Sequence, residues 1–319
     1  MKALLLAAAA ASWLAGQQGQ ITGPSMGLVY DGAARAVRPV VGIAGAARIG
    51  AAMDFGFDLS AAYVAPHLDS ALVVDAHGSP RLFRVRGQTV AELAVPGLSR
   101  ATRHVAFSPS GSALALDSGA AVLVIAGLPD APVVARTVEF PRSPRRDREP
   151  AARTSIAISD DGAELLLVAS GSVLLLDSEG SRGLMPAGAD ALVAFAAGSH
   201  DAAVLDPRGA GLVLWRDLGG AAGRQALAPA GDALAAPAGL AFSADGRRLL
   251  VAGAAAKAVA VIDAASGAAS SFPCSCTPVV LEPMGPLFRL TEPGPEPLWF
   301  LDPRAGEERI LFVPVPGPS

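Results

Sequence analysis

The sequence predicts an all-β fold, a β-propeller built from four-stranded antiparallel blades. Three observations carry this. One phrase recurs, as VAFSPSGSALAL at 105–116, IAISDDGAELLLVA at 156–169 and LAFSADGRRLLVA at 240–252. Each copy is followed by a further apolar run: AVLVIAG at 121–127, SVLLLDSEG at 172–180 and AVAVIDAASG at 258–267. Strand, tight turn, strand, turn, strand at a period of about forty residues is the pattern of a propeller blade. The 35 Gly and 26 Pro suit many short strands joined by turns, and their spacing breaks long helices.

The first sixteen residues, MKALLLAAAAASWLAG, place one positive charge before an apolar run that ends at QQGQ. This is the pattern of a secretory signal peptide, and the run is short for a membrane span of about twenty residues. Ala9-Ala10-Ala11 fits the small-x-small cleavage rule; Leu14-Ala15-Gly16 fits it less well but lies at the better boundary. The expected organisation is therefore a signal peptide over 1–16 and a single propeller domain over 17–319. The other long apolar stretch, 249–265, is interrupted by Lys257 and closed by Asp263, so it reads as two blade strands.

Residues 27–41, GLVYDGAARAVRPVV, read as a hairpin, two strands rather than four. Six full units follow, with first strands at Leu59–Val64, Val105–Ser108, Ile156–Ser159, Leu192–Phe195, Leu240–Ser243 and Val279–Glu282. At roughly 40–45 residues per blade the length is close to seven blades, six full and one incomplete. Six blades plus an extra hairpin is the rival count. Ser110-Gly111, Asp161-Gly162 and Asp245-Gly246 join first strands to second, with Gly supplying the positive φ. Third strands end in Asp177, Asp263 and Asp302, each followed by a Gly; these aspartates read as turn residues that bond nearby backbone N–H groups. Closure of the ring places the last strand, Arg309–Val315, beside the 27–41 hairpin, because an open ring leaves strand edges exposed. The longest irregular segment, PRSPRRDREPAAR at 141–153, carries five arginines and reads as a solvated inter-blade loop, with docking of an acidic partner as its functional alternative.

The stretch LLVAGAAAKAVAVIDAASG resembles the YVTN-type repeat of bacterial and archaeal surface propellers, in which a strand and a small polar turn lead into a V-x-V-I-D strand. The likeness is strongest in that blade and weaker at 105–140 and 154–185. WD40-type propellers are more distant, since Trp215-Arg216-Asp217 is not their dipeptide in its usual setting. Arg38-Pro39, GIAGAARIG at 42–50 and FVPV at 312–315 also resemble exported acidobacterial propellers. Neither resemblance implies one activity.

Composition excludes some functions. The net charge is −4, whereas a dedicated nucleic-acid binder carries a basic face. Lysine occurs at Lys2 and Lys257 alone and asparagine is absent, which fits a high-GC coding sequence and removes any N-glycosylation acceptor. The chain holds no nucleophile elbow, phosphate-binding loop, H-E-x-x-H or dinucleotide fingerprint. Its four histidines are His67, His77, His104 and His200. His67-x-Asp69 and Asp75-x-His77 each offer two side chains on one face, but they flank the strand Ala71–Val74, roughly 20 Å apart, so they cannot share a metal. His104 precedes a first strand, where a propeller channel has its rim. No catalytic residue, cofactor site or metal site is assigned.

Cys274-Ser275-Cys276 holds both cysteines. On a strand, residues two apart point the same way, so a small-ring disulfide is the first reading; free thiols or a metal or redox role are the alternatives. A loop this small would constrain little of the unfolded chain.

The function expected from these features is an exported, non-catalytic propeller in the periplasm or outside the cell. It would act as a monomeric scaffold for a protein, peptide or glycan, with no nucleic acid and no membrane span once the signal is removed. A lactonase-like hydrolase with acids or histidines converging at the channel mouth is the second class. A permanent module of a secretion or adhesion assembly is the third.

Overall fold

The computed structural model describes residues 24–43, 45–98, 101–139, 155–220, 223–227, 236–304, 306 and 308–314. The expected signal peptide over 1–16 and the arginine-rich segment 141–153 lie outside the described residues. The described residues form seven antiparallel sheets, six of four strands and one of three. The seven-blade count holds and the rival count of six does not.

Blade 1 holds Ser25–Asp31, Ala36–Val41 and the two-residue strand Arg48–Ile49. The 27–41 hairpin thus gains a third strand. Blades 2 to 7 open with Leu59–Val64, His104–Phe107, Ile156–Ile158, Leu192–Phe195, Pro237–Phe242 and Glu282–Met284. The last of these corrects the expected Val279–Glu282. Val279 and Val280 both donate to the carbonyl of Leu290, at 2.9 and 3.3 Å. Two residues facing one acceptor form a bulge, and ladder pairing starts only at Glu282.

Each sheet is buried on both faces, and period-two alternation divides its residues between two neighbours. In blade 3, Leu114 and Leu116 face Leu72 and Leu82 of blade 2. Ala113 and Ala115 point the other way, against Leu165 and Leu167 of blade 4. Small residues on one sheet leave room for large ones on the next. Further clusters join blades 4 and 5 through Leu175 and Val213, blades 5 and 6 through Leu205 and Val251, and blades 6 and 7 through Val261 and Leu301. Leu28 of blade 1 packs with Phe83 of blade 2, and Val29 and Val40 pack with Phe300 and Val313 of blade 7. The ring is therefore closed by face-to-face packing. Each fully buried Leu contributes about 1.5–3 kcal/mol relative to exposure.

The last strand, Arg309–Val313, pairs with Leu298–Asp302 inside blade 7. It abuts blade 1 through Val313 rather than sharing its sheet. Blade 1 also runs against the pattern. Arg35, just past the end of its first strand, donates Nε to the carbonyl of Leu59, where the next inner strand begins, at 3.0 Å. At the other end of the channel the Gly285 N–H of blade 7 donates to Pro66 of blade 2 at 2.8 Å, so those two turns meet directly.

The ring has two different ends. In blades 2 to 7 the turns joining strands one to two and three to four mark the lower end, and the turns joining strands two to three mark the upper end. Among the described residues, no helix is long and apolar enough to cross a membrane.

Candidate functional site

The lower-end turns follow the expected chemistry. Gly111, Gly162 and Gly246 have φ of 73°, 72° and 67°. Asp177 Oδ1 accepts the N–H of Glu179 at 2.8 Å, and Asp263 Oδ1 accepts those of Ala265 and Ser266 at 3.1 and 2.7 Å. Asp302 accepts from Arg304 N and also pairs with the Arg304 and Arg309 side chains. Asp160 reaches both neighbouring blades, accepting Ser110 N at 2.7 Å and Gly198 N at 2.7 Å.

The expected histidine pairs stay apart. Asp75 Oδ1 accepts the backbone N–H groups of His77 and Ser79, which is a turn and not a ligand set. Among the described residues, no group of three His, Cys, Asp or Glu is placed to hold a metal. His104 opens the inner strand of blade 3, opposite Asp117.

The inner strands carry mainly Ala, Val, Leu and Phe. A polar cluster lies where blades 7, 1 and 2 meet. Arg289, 8% exposed, is clamped between the carboxylates of Glu282 and Glu292. Tyr30 lines the same narrow gap as Glu282 and Arg289. Burial, then the charge of Glu282, raises the Tyr63 hydroxyl above its ordinary pKa. Two carboxylates satisfy the guanidinium, so this cluster holds the seam rather than offering a free cation.

A second cluster joins blades 4 and 5 at the lower end. His200 Nδ1 lies 3.1 Å from Oε2 of the buried Glu164, and Nε2 lies 3.7 Å from Asp161. Neither Nδ1 nor Oε2 has a well-aligned hydrogen bond, so the contact is an ion pair when His200 is protonated. The Glu164 carboxylate raises the pKa of His200, and burial raises that of Glu164. Sequence reasoning missed this pair. Only its acid left a signal, because Glu164 occupies the place that Ala113 and Arg248 hold in the other two copies of the repeated phrase, at the edge of a buried strand.

A depression of about 490 Å³ lies at the upper end of the same seam. Gly171, Met185 and Pro186 of blade 4 face Asp206, Gly209 and Arg224 of blade 5 across it. Asp206 is 3% exposed at its edge, and the Arg224 guanidinium sits 5.7 Å from the Trp215 ring. Apolar walls with one acid and one base can hold an amphipathic ligand. They supply no nucleophile–base pair.

Cys274 and Cys276 do not lie on a strand. They follow Ala269–Pro273 in the connection from blade 6 to blade 7, with Cα atoms 5.0 Å apart and the sulfurs joined. Both pack against Leu250, Val261 and Leu281.

No protein-family model matches this sequence, and no curated protein matches it. Solved structures do resemble the fold. A protein from Bacteroides uniformis, provisionally described as a 6-phosphogluconolactonase, aligns with a TM-score of 0.60 at 15% identity, over 91% of this chain and 96% of that one. A functionally unknown protein from Desulfotomaculum acetoxidans aligns at 0.57 and 14% identity, over 91% and 99%. A chain of a mitotic checkpoint complex aligns at 0.53 and 14% identity, over 88% and 84%. At such identities the likeness shows the propeller fold.

Proposed function

We propose that this chain is an exported, monomeric, non-catalytic scaffold that binds a protein, peptide or glycan at its upper end. One observation carries the reading: the depression of about 490 Å³ opens at that end, between the second-to-third-strand turns of blades 4 and 5. Asp177, Asp263 and Asp302 at the lower end are engaged by backbone N–H groups or by cations, which leaves them little capacity for a ligand. A propeller chain is also found within a protein complex, which makes protein binding a natural use of the fold. The apolar run at 1–16 supports export, and the resemblance of 249–267 to YVTN-type repeats agrees with a surface location.

The test has three arms. Cell fractionation should find processed protein outside the cytosol. Peptide and glycan arrays should yield a ligand whose binding falls at least tenfold in Ala210→Trp, which fills the depression. A panel of lactones, 6-phosphogluconolactone included, should show no turnover. Hydrolysis of any of them would replace the scaffold reading with the hydrolase one.

A further inference from the structure

The seam between blades 4 and 5 carries a second device, beneath the depression. Glu164 sits at the start of the second strand of blade 4, with its side chain 4% exposed. The first turn of blade 5 lays His200 on it, the imidazole 39% exposed. The third-to-fourth-strand turn of blade 5 covers both. A Cβ on Gly219 would come within 2.1 Å of Glu164 Oε1, so that turn is pressed onto the carboxylate. The turn is tied to the histidine's own backbone, since Leu218 N donates to His200 O at 2.9 Å. Its Asp217 holds a left-handed φ of 49°, and Asp217 N donates to Asp201 Oδ1 at 3.0 Å.

The charges facing this point are unbalanced. From blade 4 come Glu164 and Asp161, with Asp177 farther off and paired to Arg182. From blade 5 come Asp217 and Asp201, and Asp201 is neutralised by Arg216. Asp160 is turned away toward Ser110 and Gly198. Among the described residues, His200 is then the cation left to answer Glu164, Asp161 and Asp217. When it loses its proton, a buried carboxylate faces two others with no counter-charge, an arrangement that low-dielectric surroundings penalise strongly.

We propose that this seam is a proton-controlled latch, in which protonated His200 locks blade 4 to blade 5 at the lower end and its deprotonation loosens the seam beneath the depression. The sign follows from the environment. His200 titrates above its ordinary 6.5, so the stabilisation is complete below pH 6.5 and is lost as pH rises through the higher folded value. Glu164, also raised, acts in the same direction. Trp215 reports the change, because it packs into the hydrophobic cluster of this seam.

The test uses residues 17–319 carrying Trp299→Phe, which leaves Trp215 as the one tryptophan. Trp215 emission should shift between pH 5.5 and 8.5 with a midpoint above 6.5, and the denaturant midpoint should fall over the same range. Glu164→Gln should abolish both changes and hold the low-pH emission throughout. His200→Gln should abolish them and hold the high-pH emission. A transition that persists in His200→Gln, or a Glu164→Gln protein that still loosens at pH 8.5, would overturn the latch. Should His200→Gln fail to fold, the Glu164→Gln profile decides alone.

Discussion

Asp160 and Ser110 bind across the seam between blades 4 and 3: Oδ1 of the acid accepts both the backbone N–H and the hydroxyl of the serine, at 2.7 and 2.6 Å. The other carboxylate oxygen takes Gly198 N of blade 5 at 2.7 Å. One side chain thus ties three turns that the hydrophobic seams alone would leave to fray.

Asp160→Ala should lower stability by about 1–3 kcal/mol, the range for losing charge-assisted hydrogen bonds at a partly buried site. Burial works to raise the pKa of this acid, but the bonds from Ser110 and Gly198 outweigh it and leave the pKa below the ordinary 3.8. The contribution is therefore present above about pH 4 and is lost as pH falls through the folded value. Urea unfolding at pH 7 and pH 3 should show a smaller gap between wild type and Asp160→Ala at the lower pH.

Gly239→Ala should destabilise although the glycine's φ is ordinary. The added Cβ would lie 2.7 Å from Leu281 N and 2.4 Å from Leu281 Cβ, where the inner strand of blade 6 passes the entry to blade 7. Backbone cannot swing aside, so overpacking of about 1–3 kcal/mol is expected. A thermal midpoint within one degree or so of wild type would show that the two blades slide apart freely.

The cysteine pair should resist alkylation in unreduced protein, and mass spectrometry should find neither thiol labelled. Replacing both by serine should cost about 1–2 kcal/mol, since a ring this small removes little entropy from the unfolded chain. Complete double labelling would reject the bond.

Removal of residues 305–319 takes away the last strand and with it Val313, which is 1% exposed against Val29, Val40 and Phe300. The truncated chain should bind a hydrophobic dye and aggregate. A soluble monomer with an unchanged melting transition would mean that blades 7 and 1 close the ring without it.

Much of the architecture could be read from residue order. The period-two runs at 105–116 and 156–169 and the glycines at 111, 162 and 246 fix strand, turn and blade, because local backbone chemistry decides them. The edges were harder. Arg48–Ile49 is two residues long and carries no alternation, and the bulge at Val279 and Val280 depends on a carbonyl ten residues away. The Glu164–His200 and Asp160–Ser110 contacts join residues 36 and 50 positions apart that meet only once neighbouring blades pack. No spacing rule within one repeat reveals such a pair.

The inequality of the two ends bears on how such a chain can change. The described passages at 187–191 and 274–281 lead from one blade to the next across the upper end. The lower end is cross-stitched by Asp160, Ser110 and Gly198, so an insertion there would cut bonds shared by several blades. Segments grafted into the upper end clear of the Arg35–Leu59 and Ser155–Val193 bonds would avoid such stitching. Diversification by lengthening loops therefore has one permissive side, and a library built on this ring should vary that side while leaving the other untouched.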